Sequence, residues 1–352
     1  MPCFYFAYPG DLDTPTGGYG YDRRILDGLR ALGWRVELVP LGDGFPFPNA
    51  GTMTAAGDRL AALPDDALVV VDGLAYGVLG EAAAAHGDRL RLIALVHHPL
   101  CKENGLDEGS ASALFRSEQA ALQHVRHVIV TSPATAAQVR ELFDVPSGRI
   151  STILPGTDKP EPYPRSSGEL VKLLSVGTIV PRKGYDLLFE ALAELDGPDA
   201  GWRLDIVGGL DADPACYETL LKQVSDLGLG ARVTFHGAVP AERLPEFYRA
   251  AHVFVLASRY EGYGMAYTEA LAHGLPVIGS GGGAVRDTLP EGAALYCGTE
   301  NVGALRKALE RLICHPQERA KFEKAARVAA QGLPNWQGAA AGFAEILKGA
   351  GK

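Results

Sequence analysis

Short runs of β-branched and apolar residues alternate with segments whose apolar positions recur every three or four residues, along nearly the whole chain. That alternation of strand-length runs with helical period is the pattern of α/β architecture with parallel sheets. Residues 3–7 read as a strand and residues 11–20 as a glycine-bearing loop. Ile25, Leu26, Leu29 and Leu32 mark one face of a helix that stops at Gly33, a residue suited to a C-cap. A second strand returns at 36–41, and further strands are expected at 67–71, 92–96 and 125–131, with Ala- and Leu-rich helices between them.

Four prolines and few apolar residues interrupt this alternation between 155 and 169, which reads as a linker. The pattern restarts with a strand at 172–176 and a helix around 187–195, then strands at 202–207, 232–235, 253–256 and 276–278. Two open α/β units in tandem follow, at 1–157 and 158–332, with a closing segment at 333–352. No fixed-period repeat relates them, so a solenoid or propeller is set aside. The length of 352 residues agrees, being long enough for two buried cores and too long for one ordinary core.

A formal net charge of −9 removes the electrostatic attraction that dominates binding to nucleic acid. The five cysteines (Cys3, Cys101, Cys216, Cys297 and Cys314) are odd in number, scattered and never spaced C-x-x-C. Neither a disulfide framework nor a zinc site is suggested, and a reducing cytoplasmic location fits. No basic segment followed by an apolar stretch opens the chain, and no run of about 18 apolar residues exists, so neither export nor a membrane span is expected. The first 157 residues carry −6 of the −9, which weakens any basic face for anionic lipid, although a local patch at a membrane surface stays open.

The most informative stretch is the run from Ala257 to Gly264, A-S-R-Y-E-G-Y-G, between a strand and an apolar helix containing Glu269. Gly262 and Gly264 let the backbone approach a ligand, and the free N–H groups of the helix start, Met265 among them, suit an anion or a hydroxyl. Glu261 and Glu269 bracket the loop at a strand's carboxyl end, where open α/β sheets bind ligands. Taken singly, such glutamates read as a solvated side chain and a local cap. Together with Tyr263 they stand in the string E-G-Y-G-M-A-Y-T-E-A-L-A-H-G-L-P-V, which closely resembles the donor-site signature of the retaining glycosyltransferases of family 4, the E-x7-E group with the two-domain GT-B fold.

A second element, V-G-T-I-V-P-R-K-G from Val176 to Gly184, also lies between a strand and a helix. Arg182 and Lys183 there would neutralise a diphosphate as the sugar–phosphate bond breaks, whereas a merely exposed basic pair is disfavoured at a helix start by the helix dipole. The family pattern has an arginine where this chain has Thr178. Arg182 then supplies the charge from nearby, which leaves its division of labour with Lys183 open.

The resemblance implies two Rossmann-like domains facing a central cleft, with the acceptor on the first and the nucleotide sugar mainly on the second. It covers most of the chain, most strongly from 170 to 289. It further implies that Gly17 and Gly18, in Gly17-Gly18-Tyr19-Gly20, close over the donor phosphates, although a plain loop explains these glycines too. His97, at the end of the fourth strand, is placed near the transferred sugar, with His98 beside it. His236 and Gly237 stand where the family meets the nucleotide base. Tyr19 and Tyr21 belong to an aromatic leading segment whose loop members offer stacking surfaces to an acceptor. The tail at 333–352 looks like the family's closing segment, which crosses back onto the N-terminal domain, and Trp336 is expected to pack across the hinge.

The activity implied is transfer from a nucleoside diphosphate sugar to an acceptor hydroxyl with retention, by front-face attack. Glu269 binds the ribose, and Glu261 holds sugar hydroxyls. A soluble or glycan acceptor is favoured over a lipid. No cofactor beyond the sugar nucleotide and no metal is expected: Asp211-Ala212-Asp213 and Asp11-Leu12-Asp13 copy a D-x-D spacing but lie in ordinary loops. The alternatives are an epimerase or hydrolase on the same fold and a non-catalytic sugar-nucleotide binder. An oxidoreductase is set aside, since no G-x-G-x-x-G follows the first strand with an acidic residue about 20 positions on. The base, sugar, acceptor and oligomeric state stay open.

Overall fold

The computed structural model describes residues 1–164, 170–195 and 201–350; the end of the expected linker, 165–169, lies outside them. The chain divides into two compact units, Met1–Gly156 with Pro334–Lys352, and Thr157–Leu333.

The first unit holds six parallel strands: β1 (Cys3–Tyr8), β2 (Arg35–Pro40), β3 (Leu68–Asp72), β4 (Arg91–Val96), β5 (His127–Val130) and β6 (Ile150–Thr152). Their order is β2-β1-β3-β4-β5-β6. β3 and nearly all of β4 are buried, which is why they read as unbroken apolar runs. The strand order reverses between β1 and β3, so their carboxyl ends diverge into a crevice.

The second unit runs β7 (Val171–Val176), β8 (Trp202–Val207), β9 (Val233–Phe235), β10 (Val253–Leu256), β11 (Tyr260–Glu261), β12 (Val277–Gly279), β13 (Gly282–Gly283) and β14 (Ala294–Tyr296). Six of these form a parallel sheet ordered β14-β12-β10-β7-β8-β9, while β11 and β13, which follow the inner strands β10 and β12, pair by themselves. Here the order reverses between β7 and β10.

The expected strands are present with ends shifted by a residue or two, whereas β6, β11, β13 and β14, each of two or three residues, are too short to show as a pattern in the sequence. One expectation fails. The glycines expected in a loop at 11–20 begin a helix, Gly17–Ala31, because Thr16 caps it through its side chain, accepting from the Tyr19 N–H. That helix packs along the last one, Trp336–Ala350, where a Cβ on Gly28 would lie 2.5 Å from the Ala340 methyl. The final helix therefore belongs to the first unit, although the chain reaches it from the second.

Candidate active site

In the second unit both motif loops leave neighbouring strands at the switch point, one after β7 and one after β10. The loop after β7 closes in a short 3-10 turn, Pro181–Lys183, and Gly184 then starts the helix Tyr185–Ala193. Gly184 sits at φ +62°, and a Cβ there would collide with the Ala257 carbonyl, so the two loops touch only because this residue is glycine. The Arg259 N–H donates to the Arg182 carbonyl at 2.7 Å across the same seam. The Arg259 guanidinium then grips both carboxylate oxygens of Asp186 at 2.9 and 2.6 Å and reaches Glu300 at 2.8 Å. Such a bidentate clamp fixes geometry as well as charge.

This scaffold brings Arg182, Lys183 and Glu261 together. Lys183 Nζ donates to Glu261 Oε1 at 2.6 Å, Arg182 Nη1 to Oε2 at 3.3 Å, and Ser258 Oγ to Oε1 at 2.6 Å. Arg182 Nη1 also reaches the Tyr260 carbonyl at 3.0 Å. Burial would raise the Glu261 carboxyl, but the Lys183 and Arg182 charges beside it pull it down to about 2. Glu261 lies on β11, held by β13, where the Ala284 N–H donates to its carbonyl. Gly283, at φ +69°, passes so close that any Cβ would strike that carbonyl, which accounts for the glycine run after β12.

Glu269 lies a turn into the helix Met265–Ala272 that starts at Gly264. The Tyr248 hydroxyl donates to its Oε2 at 2.7 Å, and the Tyr248 ring stacks on His273 at 4.9 Å. Gly262, Tyr263 and Met265 are partly accessible along the loop and helix start, and the Tyr263 carbonyl accepts from Thr288 Oγ1 at 2.7 Å. Thr178 is half-buried ahead of the 3-10 turn. His236 lies farther along the sheet edge and pairs with Asp205 at 2.7 Å, with Gly237 next to it at φ +69°.

In the first unit, His97 follows β4 directly, and Gly18 is close enough that a Cβ there would lie 3.6 Å from its ring. His97 Nε2 meets Asp22 Oδ1 at 3.2 Å and Asp72 Oδ2 at 3.7 Å. Burial alone would lower His97, but Asp22 and Asp72 raise it to about 10; burial pushes Asp22 up to about 7 against the pull of His97. Asp22, Asp72 and His97 are also the one group of His, Cys, Asp or Glu side chains among the described residues compact enough to surround a cation. The 3.2 Å spacing is that of a hydrogen bond, and a shared proton satisfies it.

Tyr21, expected at the acceptor, is a core residue. Its ring packs edge-on against His97 and Trp336, and its hydroxyl donates to the Ile153 carbonyl at 3.1 Å. Tyr19 donates to the Pro9 carbonyl at 2.8 Å, Gly17 opens the helix, and His98 pairs with Glu103 at 3.2 Å. Trp336 packs within the first unit, on Tyr21 and under Arg24. The two D-x-D spacings are local turn devices: Asp213 caps the helix Pro214–Asp226, Asp211 accepts from the Leu210 N–H, and Asp11 accepts from the Asp13 N–H. Sequence reading missed Asp22, Asp72, Ser258, Tyr248 and the Arg259 brace.

Two parallel α/β units with ligand-type loops at their switch points, and an E-x7-E loop braced by cations, define a glycosyltransferase of the GT-B type. A family profile described as "Glycosyl transferases group 1" matches residues 162–329, and one described as "Glycosyl transferase 4-like domain" matches residues 13–156. The chain belongs to this glycosyltransferase family, of the family 4 type. It is 34% identical over 226 residues to a GDP-mannose-dependent alpha-(1-6)-phosphatidylinositol monomannoside mannosyltransferase of Mycolicibacterium smegmatis. That match covers 58% of this chain and 57% of the relative, so the chain spans little more than half of that protein. Among solved structures, a sucrose-phosphate synthase from Thermosynechococcus elongatus aligns with a TM-score of 0.82 at 24% identity over 98% of each chain. Anabaena HepE in complex with UDP and glucose aligns with a TM-score of 0.78 at 17% identity, over 98% of this chain and 100% of that one. At those identities the likeness is one of fold. No helix among the described residues is long and apolar enough to cross a membrane.

Proposed function

We propose that this glycosyltransferase moves a hexose from a nucleoside diphosphate sugar to an acceptor hydroxyl, with retention of anomeric configuration and without a metal. The observation that supports it is the Arg182–Lys183–Glu261 cluster, in which two cations share one buried carboxylate. The cluster stands at the switch point, beside the start of the Met265–Ala272 helix, where a diphosphate is best held. The hexose donor is favoured by the likeness to a GDP-mannose-dependent mannosyltransferase and to HepE, solved with UDP and glucose.

In this reading the bond between the sugar C1 and the diphosphate oxygen breaks as Lys183 and Arg182 take up the charge of the departing oxygen. The acceptor hydroxyl oxygen bonds to C1 on the same face, and its proton passes to the leaving phosphate. Glu261, held rigidly from three sides, accepts from sugar hydroxyls; Glu269 accepts from the ribose hydroxyls while Tyr248 fixes one of its oxygens. Pre-set geometry of this kind lowers the reorganisation that the reaction requires. The acceptor is a glycan or small soluble hydroxyl compound.

The test is ligand-dependent thermal stabilisation with GDP-mannose, UDP-glucose and the free diphosphates, with and without EDTA, since a ligand of the native state raises its stability by mass action. A shift with one nucleotide family, unchanged by EDTA and lost in Lys183→Ala and Glu269→Ala, is expected. Absence of a shift with every diphosphate sinks the reading.

A further inference from the structure

We propose that Asp22 is a positioning residue which, with Asp72, grips the His97 ring at Nε2 and keeps it doubly protonated, so that His97 meets its ligand through Nδ1–H as a cationic donor. The proposal rests on the transferase reading above and on the family resemblance, which places His97 near the transferred sugar.

Three distant pieces of sequence converge on one nitrogen. Asp22 lies within the helix Gly17–Ala31, Asp72 is the last residue of β3 and caps the next helix by accepting from the Leu74 N–H at 2.7 Å, and His97 is the first residue beyond β4. Both carboxylates approach Nε2, at 3.2 and 3.7 Å, so the ring satisfies them only by carrying hydrogen there. A neutral ring with that tautomer would leave two buried carboxyl groups beside each other with no positive charge between them. A second proton, on Nδ1, supplies that charge.

Asp22 sharpens the point. It is fully buried, its Oδ2 has no hydrogen-bond partner, and His97 is its sole ion-pair partner among the described residues. A carboxylate in that position is costly to keep unless the charge facing it is complete. The other groups packed around the ring do not supply it. Tyr21 offers a ring edge, and Tyr19, lying near Asp72 and Asp22, has a phenol raised by burial and by those two carboxylates. Thr131 and, more weakly, Thr135 donate to the His97 carbonyl. Asp43 and Asp11 act on Tyr19 from farther off and add only negative charge. With Nε2 committed and a fifth of the side chain exposed, Nδ1 is the nitrogen left for a ligand oxygen.

The experiment is a pH series of long-range proton–nitrogen spectra on the full ¹⁵N-labelled chain, with the His97 ring assigned by its loss in His97→Gln. Both ring nitrogens are expected to keep imidazolium shifts through pH 8, and Asp22→Asn is expected to move the transition down by more than one pH unit. Asp72→Asn provides a second reading should Asp22→Asn fold poorly. A neutral ring at pH 7, or a transition unmoved in both variants, overturns the proposal. So does selective broadening of the His97 signals by micromolar Mn²⁺, which would make the cluster a cation site. Transfer kinetics with the active donor close the test: Asp22→Asn should lower kcat at least tenfold with donor KM within twofold and a pH profile displaced to acid, and Asp22→Glu should recover part of the loss. An altered ring charge with unchanged kcat refutes the positioning role. A chain that transfers from no sugar nucleotide refutes the functional reading instead, while the spectra still decide the protonation.

Discussion

At the β7/β10 switch point two cations hold one buried carboxylate, whereas at the β1/β3 switch point two buried carboxylates hold one imidazole. In the first cluster each carboxylate oxygen has a donor: Lys183 and Ser258 serve Oε1 of Glu261, and Arg182 serves Oε2. The second differs, because Oδ2 of Asp22 is buried without a partner. A carboxylate with a donor on each oxygen keeps its place with or without ligand. An unsaturated one carries an electrostatic cost that a proton or a ligand relieves, so its state depends on conditions.

The largest expected effect separates the two by chemistry. Lys183→Ala should lower the transfer rate by about a hundred- to a thousandfold, as loss of one preorganised charge at a departing oxyanion does, measured by steady-state release of nucleoside diphosphate. His97→Gln should cost less than Lys183→Ala, and the reverse ranking would break the assignment of roles. Next, Glu261→Ala removes the buried carboxylate that Arg182 and Lys183 share and should lower unfolding free energy by about 3 kcal/mol, read from urea denaturation. Glu261→Gln should retain a sizeable part of that loss.

The pH response sharpens the contrast. His97 is raised from 6.5 to about 10, so across that window the folded chain holds a proton that the unfolded chain has released, and stability falls as pH rises through it. Glu261 is lowered from 4.5 to about 2, so its contribution is complete above 4.5 and is lost as pH falls towards 2. Hydrogen exchange should show the first unit loosening first on the alkaline side and the β10–β11 loop on the acid side. The smallest effect belongs to Tyr248→Phe, which removes one hydrogen bond to Glu269. That should raise donor KM by a few fold, on the order of 1 kcal/mol, with kcat nearly unchanged.

Much of the fold was legible because buried parallel strands advertise themselves as apolar runs, and the E-x7-E loop and Lys183-Gly184 stand out as strings. What escaped was set by topology or by local capping. Asp22 and Asp72 are 50 positions apart and meet only because β3 lies beside β1 in the sheet. Ser258 and Arg259 read as ordinary loop residues until the seam with the 3-10 turn is seen. Gly17 and Gly18 suggested a loop because glycine is a poor helix former, yet Thr16 was present as a cap signal. Tyr21, expected at the acceptor, precedes Ile25 by four positions and thus shares the helix's buried face.

The final helix, finally, sets an order of events on the ribosome. The helix Trp336–Ala350 packs against the first helix, and Gly156 lies so near Trp336 that a Cβ would come within 2.3 Å of the Trp336 nitrogen. Thr157–Leu333 is thus an insertion whose ends leave and rejoin the first unit at abutting points. The first-made unit stays incomplete until the whole of the second has been synthesised, so the later-made unit is the first able to finish folding. That inverts the usual N-terminal-first sequence.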